Sequence, residues 1–187
     1  MLSASRPAIG AAALAAVVAG CGDRGHRAPA SAAAAEPAAI RLTCDDSWIP
    51  NRRTFAARER RRNSIRLGPL TLLNARRLRW APDDVLGELK IRTLMRPGAS
   101  ARLSLEPTAP ARAAFAAVPI TARRRVVEFP GCVPVPADQR TFPDLGDRGF
   151  PLILAAPGPG CYDIAVTAGA TTIRHRLKVG VRRCAAA

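Results

Sequence analysis

The sequence predicts an all-β protein, an Ig-like antiparallel β-sandwich of seven or eight strands stapled by disulfides. Three observations predict it. Several segments alternate apolar and polar residues with period two, the repeat of a half-buried strand. Proline and glycine, 17 and 14 residues, cut the chain into short lengths with no strong helical pattern between them. Cys44, Cys132, Cys161 and Cys184 are spread over the same stretch.

Taken in order, "IRLTC" (40–44) is a first short strand, and "TFAARERRRNS" (54–64) suits a short surface helix. "LGPLTLLNA" (67–75) is the next strand. In "ELKIRTLM" (88–95), Leu89, Ile91, Thr93 and Met95 fall on one face, with Glu88, Lys90 and Arg92 on the other. "RPGAS" then turns the chain, because Pro97 presets φ and Gly98 permits positive φ. "ARLSLE" (101–106) sets Ala101, Leu103 and Leu105 against Arg102, Ser104 and Glu106, which predicts a hairpin with one apolar face. "RRVVEF" (124–129) and "FPLILAA" (150–156) follow as apolar strands. "CYDIAVTAGATTIRHRLKVGV" (161–181) predicts a second hairpin. Tyr162, Ile164 and Val166 alternate, Gly169 turns the chain, and Ile173, His175, Leu177, Val179 and Val181 alternate on the return. Short strands at such spacings argue for a sandwich.

The amino terminus has a different character. "MLSASRPAIGAAALAAVVAGC" carries one positive charge, Arg6, and then only small or apolar residues from Ala8 to Gly20. A membrane span needs ~20 apolar residues, so this run is too short and has the layout of an export signal. Its last four residues, Val18-Ala19-Gly20-Cys21, resemble the lipobox of bacterial lipoproteins, with Val18 where leucine is most common. That resemblance covers residues 1–21 and implies cleavage before Cys21, acylation of its thiol and anchorage to the outer face of the cell membrane. Ordinary signal cleavage, with Cys21 lost or left free, is the alternative. "GDRGHRAPASAAAAEPAA" (22–39) has no apolar periodicity and cannot bury a core. It reads as a flexible tether with a mean reach of ~20–25 Å. The expected organisation is signal peptide 1–20, acylated cysteine and tether 21–39, and β-sandwich domain 40–187.

The chain holds 29 Lys and Arg against 14 Asp and Glu, a formal charge of +15, and only Lys90 and Lys178 are lysines. Losing residues 1–20 removes Arg6 alone and leaves +14. Such an excess favours polyanionic partners. It gathers in Arg52-Arg53, Arg58 with Arg60-Arg61-Arg62, Arg76-Arg77-Arg79, Arg123-Arg124-Arg125 and Arg182-Arg183. On the last strand Arg174, Arg176 and Lys178 occupy the face opposite His175, roughly 7 Å apart. Lys90, Arg92 and Arg102 are expected to form a similar row on the first hairpin. These six are the candidate set for binding an anionic surface: lipid headgroups, phosphate-bearing wall polymer or acidic glycan. A solvated face in an arginine-rich composition is the bland alternative. Nucleic acid is not the expected partner, since export removes the chain from the cytosol and no aromatic platforms are interleaved with the basic residues.

An even number of cysteines in an exported domain reads as two disulfides. No pair has the close spacing of a zinc site and the chain has only His26 and His175, so neither metal nor cofactor is expected. A turn at Gly169-Ala170 places Cys161 opposite Lys178, with Cys184 ~20 Å further along at strand rise. Disulfides require Cα atoms within about 7 Å, which predicts Cys132–Cys161 and Cys44–Cys184. "SIRLGPLTLLNAR", "VVEFPGC", "TFPDLGDRGF" and "GPGCYDIAV", between an early and a closing cysteine, resemble a family of small exported proteins of high-GC actinobacteria. The resemblance covers most of residues 41–184 and implies an exported four-cysteine β-domain with no functional residues carried across.

No serine-hydrolase, zinc-protease, Walker-type or dinucleotide-binding motif is present. His175 alternates with Ile173 and Leu177, which points it inward or to the rim of the sheet. Paired cysteines leave no thiolate nucleophile. Asp144 and Asp147 in "FPDLGDRG" offer acid–base work or calcium ligation, although aspartates so spaced more often make turns. Asp45 and Asp46 are weaker candidates of the same kind. The expected function is a non-catalytic, lipid-anchored envelope protein that binds anionic envelope components or serves another envelope protein. The rival is an envelope hydrolase or calcium-binding domain built on the Asp144/Asp147 loop.

Overall fold

A computed structural model describes residues 38–50, 62–80, 87–118, 122–140 and 147–184. The first strands are β1 (Ala39–Arg41), β2 (Ile65–Leu67), β3 (Leu70–Leu73), β4 (Glu88–Met95) and β5 (Ala101–Leu105). They are followed by β6 (Ala114–Ala117), β7 (Val126–Phe129), β8 (Arg148–Ala155), β9 (Gly160–Ala168) and β10 (Thr171–Val179). One sheet has the order β1-β7-β5-β9-β10 and the other β2-β3-β4-β8-β6. All pairings are antiparallel except β1 with β7. The fold class read from the alternation is the one that forms.

The period-two pattern builds the core directly. Leu70, Leu72, Ile91 and Leu152 from one sheet are buried against Leu103, Val127, Ile164 and Leu177 from the other. Each such side chain stabilises by ~1.5–3 kcal/mol on burial. Phe129 and Phe150 meet edge to face across the layer, centroids 5.6 Å apart at 80°. Thr93 lies fully buried in this alternation, and its hydroxyl donates to the Phe150 carbonyl at 2.8 Å. Tyr162 is 1% exposed and donates its hydroxyl to the Gly158 carbonyl at 2.6 Å. That bond ties the loop between β8 and β9, where the chain changes sheets, in the manner of the tyrosine corner of Ig-like sandwiches. A second small cluster, Leu73 and Leu94, packs against Trp48. Trp48 and Gly149 exchange backbone hydrogen bonds of 2.8 and 2.9 Å, and a Cβ at position 149 would collide with the indole.

The registers give the sandwich two distinct ends. Ala39, where the chain enters β1, pairs with Val126, and Val126 with Ser104. Leu105, Gly160 and Val179 close the same, proximal end of that sheet. Ala114, Ala155 and Glu88 are in register there in the second sheet. The distal end carries the turns at 68–69, 96–100 and 169–170 and the loops after β1 and β7. Glu36–Ala187 is one compact unit, and it holds all ten strands, the described core and both disulfides, so it contains what it needs to fold alone.

Three expectations are corrected. The described residues form ten strands rather than seven or eight, because "LGPLTLLNA" begins in β2, turns at Gly68-Pro69 and continues as β3, and because the alanine-rich β6 has no alternation to betray it. The segments 88–95 and 101–106 do not form a hairpin: β4 pairs with β3 and β8, β5 with β7 and β9. The turn at 96–100 arches from one sheet to the other, which satisfies the same alternation by setting the two apolar faces against each other. The disulfides are Cys44–Cys132 and Cys161–Cys184, with Cα separations of 5.7 and 5.9 Å. Cys161 does lie opposite Lys178 in the expected register. The strand stops at Val179, however, and Gly180 at φ +64° bends the chain, so Cys184 comes back to Cys161. A side chain other than glycine is strained at that φ. The signal segment, almost all of the tether and most of the 54–64 helix lie outside the described residues.

Candidate functional site

The free edge of β10 and the connection from β3 to β4 together make a cationic cleft. After β3 a 3₁₀ turn spans Ala75–Arg77. Ala75 and Leu78 are buried, Leu78 bridges Val179, and the Gly180 N–H donates to the Leu78 carbonyl at 2.8 Å. With those two side chains turned inward, Arg76 and Arg79 are exposed beside β10. The Arg76 Nε also donates to the Ser64 carbonyl at 3.0 Å, which fixes its stem.

The cleft has two parts that share Arg76 and Lys178. One, of about 640 Å³, is lined by Arg66, Arg174 and His175 over Ile65, Leu67 and Ile173. The other, of about 830 Å³, adds Arg79 and Arg182 beside Gly180. Among the described residues no carboxylate lines either part. A concave wall carrying one sign of charge concentrates counter-ions. His175 sits half-buried at the rim of the sheet, one of the two positions its alternation allows. Burial first, then the Arg76 and Lys178 charges, push its pKa below the ordinary histidine value. At neutral pH it is therefore a neutral imidazole that offers one donor and one acceptor.

The predicted row Arg174, Arg176 and Lys178 forms on β10, but acids on β9 and just after β5 answer most of it. Arg176 grips Asp163 with two bonds of 2.6 and 3.0 Å, and this guanidinium, the largest influence on Asp163, lowers its pKa. Arg174 lies 3.6 Å from Glu106 and Arg102 3.9 Å from Glu128. Lys178 pairs with no carboxylate among the described residues and opens onto the cleft. Lys90 and Arg92 do not join Arg102 in one row, because β4 and β5 belong to opposite sheets. They stand exposed on the outer side of the other sheet. The six predicted residues thus divide between two faces.

Arg125, counted from sequence as part of a basic cluster, turns inward and donates to the Glu106 carbonyl at 2.7 Å and the Pro110 carbonyl at 3.0 Å. It folds the β5–β6 loop. Arg123 pairs with Glu88 at 2.8 Å. Asp46 accepts from the backbone and hydroxyl of Thr43 at 2.7 and 2.8 Å, the turn-making role. Asp147 is half-buried, while Asp144 and Cys21 lie outside the described residues. Among the described residues no group of three or more His, Cys, Asp or Glu is arranged to hold a metal. Cys44, Cys132, Cys161 and Cys184 are all consumed in disulfides.

The chain matches no protein-family model, and no curated protein matches it. The cleft therefore stands on its own geometry. Sequence reasoning named Arg76 and Arg79 as basic but did not place them beside Lys178. The available signal is the apolar Ala75 and Leu78 bracketing Arg76 at helical spacing, which seats that turn on the core and leaves Arg76 exposed.

Proposed function

We propose that this protein is a non-catalytic, lipid-anchored envelope protein whose domain binds anionic envelope components. One observation carries the reading: the cleft beside β10, where Arg76, Arg79, Lys178 and Arg182 converge with no carboxylate among the described lining residues. Elsewhere on the first sheet basic side chains are met by acids, so this concentration is local and not simply the consequence of a basic composition. Two disulfides support an oxidising, extracytoplasmic setting. The lipobox-like Val18-Ala19-Gly20-Cys21 supplies the anchor. The charges that act on His175 are cations, which suits anion binding better than general-base chemistry.

The test is co-sedimentation of residues 36–187 with purified envelope fractions across a salt series. Retention is expected at low salt, to fall steeply as the Debye length shrinks from ~10 Å at 0.1 M, and to be lost in the Arg79→Glu/Lys178→Glu variant. Retention indifferent to both salt and this variant overturns the proposal, as does no retention at low salt.

A further inference from the structure

Most of the arginines on the described loops lie at one end of the strands. The β3–β4 connection brings Arg76 and Arg79 to the proximal end, and the β5–β6 loop brings Arg112. The segment that leads into β7 adds Arg124, and the bend after β10 adds Arg182 and Arg183. All six are exposed, and among the described residues no carboxylate pairs with any of them. Among the described residues the acids at that end, Glu88, Glu106 and Asp163, are already engaged by Arg123, Arg174 and Arg176. The distal end differs. There Arg96, Arg140 and Arg148 share the loops with Asp45, Asp46, Asp138 and Asp147. Among the described residues charge is thus polarised along the strand axis, which the nine residues of β9 make about 30 Å long.

The chain enters the domain at this same proximal end, through Ala39. Resting on the proposal above that residue 21 anchors the protein, we infer that the proximal end is a docking face for an anionic phospholipid bilayer, with the strands standing upright on it. The segment that joins Cys21 to Ala39 needs only to hold this end near the headgroups. Charge complementarity then sets the orientation. Phosphodiester headgroups suit guanidinium forks, which bind phosphate oxygens in pairs. The distal end stands several Debye lengths away at physiological salt, where the screening length is ~8 Å, and contributes little.

The experiment compares residues 36–187 with two triple variants on vesicles of equal parts phosphatidylglycerol and phosphatidylcholine. Arg79→Gln/Arg112→Gln/Arg182→Gln removes three charges from the proximal end, and Arg41→Gln/Arg96→Gln/Arg140→Gln removes three from the distal half. The proximal triple is expected to bind ~100-fold more weakly, and the distal triple within a few-fold of the parent. Orientation is read separately from the two tryptophans, Trp80 at the proximal end against Gly180 and Trp48 at the distal end against Gly149. Headgroup-labelled nitroxide lipid should quench a Trp48→Phe protein, which keeps Trp80, and spare a Trp80→Phe protein. Equal weakening by both triples, or equal quenching of both tryptophans, overturns end-on docking but leaves anion binding intact. Retention on isolated wall polymer without vesicle binding overturns the bilayer as occupant. Binding to neither overturns both proposals.

Discussion

Replacing Tyr162 with phenylalanine isolates the corner between β8 and β9. The ring stays, buried at 1% exposure, and only the 2.6 Å bond from its hydroxyl to the Gly158 carbonyl is removed. A protein hydrogen bond is worth ~0.5–1.5 kcal/mol net, and a carbonyl left dry costs up to about 3. Gly158 is half-buried, so water replaces the lost donor and the lower range applies. The expected loss is ~1 kcal/mol, a fall in melting temperature of about 2–4 °C for a domain of this size. Urea unfolding of residues 36–187 at pH 8 measures it, with an unchanged m-value. The pH dependence provides an independent check. Burial, the leading cause, raises the Tyr162 pKa above 10.0. The folded state therefore holds this proton longer than the unfolded chain. The stabilisation is complete below the unfolded value near 10 and is lost as pH climbs through the raised one. The gap between parent and variant should narrow over that window. Tyr162 is the only tyrosine of the chain, so tyrosinate absorbance follows it directly. An unaltered unfolding midpoint in the variant, or a phenol that titrates at its ordinary value, would refute the account.

Peptide mapping without reduction should give Cys44–Cys132 and Cys161–Cys184. Serine at both members should cost ~4.5 kcal/mol for the bridge spanning 88 residues and ~3.5 for the one spanning 23, measured by urea unfolding. Gly149→Ala forces the Trp48 indole off the Leu73 and Leu94 surface, with an expected cost of ~1–3 kcal/mol and a red shift of tryptophan emission. His175, its pKa lowered mainly by burial, binds a proton less readily when folded than when unfolded. Its contribution is complete above the unfolded value of 6.5 and is lost as pH falls below it. Nuclear magnetic resonance titration should show that depressed value, and an inorganic phosphate titrant seated by Arg76 and Lys178 should raise it.

Local alternation was enough to read β4, β5, β9 and β10, because burial on one face leaves a period-two trace whichever strands pair. It carries no information about partners. The arch at 96–100 and a hairpin there demand the same residues, and so the sheet assignment of Lys90 and Arg102 was not legible. The Cys161 register was legible from the Gly169-Ala170 turn. The fate of Cys184 depended on a single positive φ at Gly180, and that glycine follows a strand without any pattern that separates a bend from continued extension. Basic clusters were visible as clusters. Whether each is free is decided by neighbours distant in sequence: Asp163 silences Arg176, and four nearby carbonyls enclose the Arg125 guanidinium, while nothing described answers Arg79.

The parallel pairing of β1 with β7 has a mechanical consequence. A pull on the amino-terminal side of Ala39 runs along the strand axis, so it loads the β1–β7 bonds together in shear rather than opening them one at a time. Should those bonds give way, the chain peels only to Cys44, where a covalent link to Cys132 hands the load to the loop beyond β7. The bridge acts as a stop: tension applied at that terminus spends itself on a few residues of edge strand, and the sandwich behind it is not drawn out.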